Sequence, residues 1–130
     1  IINVPISIKI SPDSSNDIIR KIAEICSLHD QVMINAGNSQ YKSKSELNIS
    51  SNSLTTIGGG LSGASLFNRT LEVVKILAPF KIPIIATGGI NNFDQIEILK
   101  KEGAALFGMA TALIFNPYCI PKINSNLKNV

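Results

Sequence analysis

Pro83-Ile84-Ile85-Ala86-Thr87-Gly88-Gly89, with Asn92 and Gln95 just beyond, and then Ala105-Leu106-Phe107-Gly108-Met109-Ala110-Thr111, decide how this chain is read. Each is an apolar run of about five residues, the length of one buried strand, that ends in small residues. Asn92 followed three positions on by Gln95 is a helix-start signal, so the first run feeds a helix. Backbone N–H groups at such a strand-to-helix turn face the space above the sheet, and glycine lets an anion come close to the main chain. In a (β/α)8 barrel the loops after the seventh and eighth strands commonly hold a phosphate. Gly88, Gly89, Ala110 and Thr111 are therefore expected to form a phosphate grip. A β-branched side chain at Gly89 is expected to take the phosphate's space and resist a positive φ while leaving the core undisturbed.

Upstream of the grip the same alternation recurs. Ile6-Ser7-Ile8-Lys9-Ile10 alternates, is rich in β-branched residues and stops at Ser11-Pro12-Asp13, which reads as a strand ending in a turn. Ile18, Ile22 and Ile25 recur at helical spacing through Leu28, and Val32–Asn35 is a short apolar strand that ends near Gly37. Residues 36–57 turn polar and rich in Ser, Asn and Lys, longer than an ordinary connection, and are expected to be a mobile loop. Leu66 to Leu77 is helical in pattern, with Pro79 closing it. Asn92 to Lys101 is a helix with Gly103 past its end. Pro117 and Pro121 punctuate a terminal segment expected to be a short helix with a frayed tail.

Strands alternating with helices imply an α/β fold of parallel strands with helical crossovers. Four strands cannot close a barrel, and a (β/α)8 barrel needs about 250 residues. With 130 residues, the chain is expected to be the C-terminal half of a (β/α)8 TIM barrel, strands five to eight, across residues 1–130. The missing initiator Met points the same way, to a piece of a longer protein.

Composition narrows the function classes. At 45% hydrophobic residues the chain can bury a core, so it is not a disordered segment. A net charge of +3, from 12 Lys and Arg against 9 Asp and Glu, is scattered without interleaved aromatic residues, which argues against nucleic acid as a partner. No stretch reaches the length of a membrane span, and Ile1–Ile10 is interrupted by Asn3, Pro5 and Lys9. Cys26 and Cys119 lack the paired spacing of a zinc site, so no metal is expected. They read as reduced structural thiols of a cytoplasmic protein.

In order along the chain, Lys9-Ile10-Ser11-Pro12-Asp13, Met33-Ile34-Asn35, Gly59-Gly60-Leu61-Ser62-Gly63, Ala86-Thr87-Gly88-Gly89-Ile90 and Ala110-Thr111-Ala112 resemble the C-terminal half of the dihydroorotate dehydrogenases. The ending Asn116–Ile123 resembles the heterodimeric, cytosolic branch of that family. The resemblance implies an FMN-dependent oxidoreductase that turns dihydroorotate into orotate in pyrimidine synthesis. It implies that Lys9 lies beside the flavin pyrimidine edge, as a catalytic and cofactor-binding cation, and that Asn35 contacts the pyrimidine substrate. It assigns Gly60, Ser62 and Gly63 to the cofactor, and Gly88, Gly89, Ala110 and Thr111 to the FMN phosphate.

The family's catalytic base, a Cys or Ser, belongs to a loop of the half that this chain lacks, and neither Cys26 nor Cys119 matches it. Two departures stand out: Ala36-Gly37 follows Asn35 where the family usually has Thr, and Ala110 stands where Gly or Tyr is frequent. Implied partners are a small pyrimidine substrate, the missing N-terminal half-barrel, and a further copy or an electron-transfer subunit. Two other readings fit the same grip: another flavin-dependent barrel, such as a dihydropyrimidine dehydrogenase, and a non-catalytic phosphate-binding remnant.

Overall fold

The computed structural model describes residues 4–50 and 55–127. The first three residues of the apolar N-terminus, residues 51–54 of the expected loop and the last three residues of the tail lie outside the described residues. Four strands form one parallel sheet in the order β1-β2-β5-β6: β1 is Ile6–Ile10, β2 Val32–Ala36, β5 Ile84–Thr87 and β6 Leu106–Gly108. Helices α1 (Asn16–Cys26), α2 (Phe67–Leu77) and α3 (Phe93–Lys101) alternate with them. Two short helices, α4 (Thr111–Phe115) and α5 (Cys119–Leu127), follow β6, where a single one was expected.

Local chemistry explains where the helices begin and end. The Ser15 hydroxyl accepts from the Ile18 N–H at the start of α1, and the Asn92 side-chain oxygen Oδ1 accepts from Gln95 N–H at the start of α3. Gln95 answers through its own amide oxygen, which accepts from Asn91 N–H at 2.7 Å. Gly103, at φ +107°, takes the left-handed conformation that stops α3.

Alternation along the strands sorts the side chains onto two faces. Ile10, Ile34, Ala36, Ile84 and Ala86 are buried against α1, α2 and α3 through Ile19, Ala23, Val74, Leu77, Ile96 and Leu99. Lys9, Asn35, Ile85 and Leu106 occupy one register row on the opposite face, where Lys9 and Leu106 are exposed and Asn35 and Ile85 are half-buried. Parallel sheets normally have both faces covered. Leu106 is 54% exposed there, and β1 and β6 are each paired on one side only.

The structure adds two details that the sequence pattern leaves open. The inward stripe of α1 is Ile19, Ala23 and Cys26, while Ile18 and Ile25 are exposed at 51% and 63%. Both stripes have helical spacing, and packing against α2 selects the one that carries the small Ala23. The stretch 36–57 also holds structure of its own. Gln40–Ser43 is a strand, β3, paired antiparallel with β4, Gly58–Leu61, as a two-stranded ribbon. At its turn the Glu46 carboxylate accepts from the Ser43 N–H and hydroxyl, while the Ser43 hydroxyl accepts from Glu46 N–H. Ser43 with Glu46 three positions on is a capping box that could have been read from sequence.

Candidate functional site

Three chain segments that are far apart in sequence converge at the C-terminal ends of the strands. They enclose a cleft of about 180 Å3. Ser62 and Gly63 enter from β4, Gly88 and Gly89 from β5, and Ala110 and Thr111 from β6, with Lys9 at the end of β1 on the rim. The Thr111 hydroxyl donates to the Ser62 hydroxyl at 3.3 Å, tying the first segment to the third. Gly63, at φ +94°, lies so close to Thr111 that a Cβ would sit 3.4 Å from its methyl group. The cleft is smaller than the roughly 300–1,000 Å3 of a complete ligand site.

Gly88 and Gly89 have φ of +127° and +75°, values that non-glycine residues rarely adopt. The space around them differs from the expectation. A Cβ at Gly89 would come within 2.3 Å of Phe67 N and 3.0 Å of the Leu66 carbonyl carbon, so the residue is needed for α2 to dock on the end of β5. A Cβ at Gly88 would meet the Thr70 hydroxyl at 2.7 Å. That hydroxyl lies on a 5% exposed residue and donates to the Thr87 carbonyl. A β-branched residue at Gly89 therefore strikes the core first, because the backbone of α2 fills that space.

Asn35 does not line this cleft, nor does Gly60. Asn35 sits on the open face, in register with Lys9 on one side and Ile85 on the other. Its side-chain oxygen Oδ1 is buried and has no hydrogen-bond partner. Gly60 pairs with Tyr41 in the ribbon, and the Ser39 hydroxyl lies 2.5 Å from where its Cβ would be. The absence of a side chain at Gly60 lets the ribbon close against Ser39.

Asn38, Ser39 and Asn91 also line the cleft, although no motif points to them. Asn38 and Ser39 are brought there by Gly37, whose chain runs against β5 so closely that a Cβ would overlap the Thr87 carbonyl oxygen. The glycine at position 37 thus has a steric reason in this chain, and nothing in the structure explains Ala36. The Lys9 side chain carries no ion pair or hydrogen bond among the described residues, which leaves its ammonium available at the cleft. Both cysteines are buried and free, and burial pushes the Cys26 thiol up. No helix of the described residues is long and apolar enough to cross a membrane.

With this geometry in place, comparison with known proteins gives one answer. The family description Dihydroorotate dehydrogenase matches residues 1–130. The chain belongs to the dihydroorotate dehydrogenase family. It is 36% identical over 115 residues to the dihydroorotate dehydrogenase (quinone) of Coxiella burnetii, covering 86% of this chain and 32% of that one. It is 29% identical over 130 residues to the catalytic subunit of dihydroorotate dehydrogenase B (NAD(+)) of Streptococcus pneumoniae, covering 98% and 40%.

The crystal structure of DHODH from Eimeria tenella in complex with ferulenol superimposes with a TM-score of 0.81. Its identity is 23%, covering 96% of this chain and 34% of that one. The fold is thus that of part of a (β/α)8 barrel in this family. The chain spans about a third of the length of the relatives it matches.

Proposed function

We propose that this chain is the flavin-holding half of a dihydroorotate dehydrogenase, supplying strands five to eight of the barrel, and that the whole protein oxidises dihydroorotate to orotate. The open face and the one-sided pairing of β1 and β6 support the missing-half reading, because a parallel sheet needs its second face covered. Family membership supports the reaction, and the two free buried cysteines support a reducing, cytoplasmic setting.

The observation that carries the reading is the buried, unpartnered Oδ1 of Asn35. An unsatisfied buried acceptor costs about 1–3 kcal/mol. It is retained where a ligand supplies the donor, and the N–H groups of a pyrimidine are such donors. The residues present also fit FMN. Gly88, Gly89, Ala110 and Thr111 bring main-chain N–H groups and one hydroxyl to a single cleft, which suits a phosphate.

Bound FMN would accept hydride from the substrate. The chain's own residues then have distinct parts. Lys9 places a positive charge at the cleft, where it would stabilise negative charge on a flavin bound there. Asn35 orients the pyrimidine by accepting from its N–H. Ser62 and Thr111, hydrogen-bonded to each other, hold the β4 and β6 loops in register around the phosphate. Gly60 keeps the ribbon close to this wall. The resemblance to the family assigns the base that takes the proton to a loop outside this chain, and neither Cys26 nor Cys119 lines the cleft.

Purified full-length protein is expected to be yellow, with flavin absorbance, and to form orotate from dihydroorotate. Lys9→Ala is expected to slow substrate-driven bleaching at least tenfold, equivalent to about 1.4 kcal/mol of transition-state stabilisation, with a smaller loss of flavin content. Colourless protein supports the phosphate-binding remnant. Yellow protein that makes no orotate supports a different flavin-dependent barrel.

A further inference from the structure

Arg69 lies one turn into α2, away from the cleft, and its side chain is 18% exposed. Its guanidinium spreads over a single target. Nε donates to the Pro12 carbonyl at 3.0 Å, Nη2 to the Ser14 carbonyl at 2.8 Å, and Nη1 to Asn16 Oδ1 at 2.8 Å. Nη1 also pairs with the Glu72 carboxylate at 2.8 Å, and Glu72 accepts from the Asn16 amide, which closes a ring. Pro12 and Ser14 belong to the turn between β1 and α1, which begins immediately after the strand that ends in Lys9 and Ile10, and Asn16 is the first residue of α1.

That turn holds a second wall of the site as well. The Asp13 carboxylate accepts from Tyr41 N–H at 3.0 Å, fastening the start of the ribbon two residues after the cleft-lining Ser39. Three residues before Arg69, Leu66 lines the cleft from the opposite side. One planar, permanently charged side chain thus ties α2 to the turn that follows the Lys9 strand, and that turn holds Tyr41 through Asp13. A guanidinium can serve three acceptors in fixed directions at once, which a lysine ammonium on a flexible stem does not reproduce.

We propose that Arg69 is a positioning residue: it clamps the Ser11–Ser15 turn and so sets where the Lys9 ammonium and the Asn38–Ser39 wall stand relative to the phosphate grip. Its catalytic consequence rests on the flavin reading above, whereas the clamp itself does not.

The test uses Arg69→Met, Arg69→Lys and Asn16→Ala in the full-length protein, with amide hydrogen exchange as the first readout. In Arg69→Met the amides of residues 10–16 other than Pro12, and of Tyr41, are expected to exchange at least tenfold faster, with Ile84–Ile90 unchanged. Arg69→Lys is expected to recover only part of that protection. Asn16→Ala, which removes one acceptor, is expected to give a weaker version of the same pattern, so the clamp remains testable if Arg69→Met does not fold. Exchange that is unchanged in the turn, or raised evenly over α2 and β5, overturns the clamp.

The second readout is a double-mutant cycle on orotate formation. Arg69→Met alone is expected to lower turnover at least tenfold, and to add little in a Lys9→Ala background. Losses that multiply overturn the route through Lys9. Wild-type protein with neither flavin nor orotate formation overturns the functional reading instead, and exchange then decides the clamp by itself.

Discussion

The two faces of the sheet obey different rules. On the helix-covered face, Ile34, Ile84 and Ala86 are at most 1% exposed and differ only in volume. On the other face the same strands, one residue out of phase, carry Lys9, Asn35 and Thr87 alongside apolar Ile85 and Leu106. A closed helix layer rewards close packing, since each lost methylene leaves a void. A face that meets a ligand instead tolerates a charge and an unpaired amide oxygen, at a cost in stability that binding recovers. Chemistry and packing are thus separated by a step of one residue along each strand.

The largest expected effect lies where the two faces meet, at the end of β5. Gly89→Val drives a branched side chain into the Phe67 backbone and destabilises the protein by more than about 3 kcal/mol, within the range of severe substitutions. Flavin retention and the melting midpoint should fall together. If flavin is lost while the midpoint holds, Gly89 serves the phosphate alone, and α2 does not require a glycine at this position.

Next comes the covered face by itself. Leu77, fully buried between α2 and the sheet, should cost about 2–5 kcal/mol on replacement by Ala. The denaturant midpoint should shift accordingly, while the KM of the full-length protein for dihydroorotate stays near wild type. A large change in KM with a small change in midpoint would blur the distinction between the faces.

Asn35→Leu probes the open face and should act in the opposite sense. Removing an unsatisfied buried oxygen should leave stability unchanged or raise it by about 1 kcal/mol, while substrate affinity falls at least tenfold. Calorimetric melting paired with orotate titration checks this. A destabilised variant would mean that the oxygen is already satisfied in the assembled barrel.

The smallest effect is expected at the ribbon turn, far from both faces. Hydrogen bonds from the Ser43 backbone and hydroxyl, then from Lys42, pull the Glu46 carboxyl down from an ordinary 4.5 to about 2. A depressed folded-state pKa means that the stabilisation is fully present above about pH 4.5 and is lost as the pH falls toward 2. Backbone NMR shifts of Ser43 and Glu46 should titrate in that window, with the sheet amides silent. Titration near pH 4.5 would show that the turn does not hold in solution.

Much of the architecture is visible in short windows of sequence. The order of strands and helices, the caps at Ser15 and Asn92, the stop at Gly103 and the glycine turn after Thr87 all follow from periodicity and local backbone preference, which act over a few residues. Gly88, Gly89, Ala110 and Thr111 were legible as one group because a strand followed by small residues is itself a local pattern.

Other features depend on pieces of chain that meet only after folding. Whether α1 buries Ile19 or Ile18 was settled by α2, and the pairing of polar Gln40–Ser43 was settled by a glycine strand some fifteen residues away. Gly89 faces α2 because Phe67 arrives there, Asn35 Oδ1 is buried without a partner only once the sheet is assembled, and Arg69 reaches Pro12, Ser14 and Asn16 across more than fifty positions. Hydrogen bonds and steric exclusion act over a few ångströms of space, so distance along the chain carries no information about them until the fold has brought their partners together.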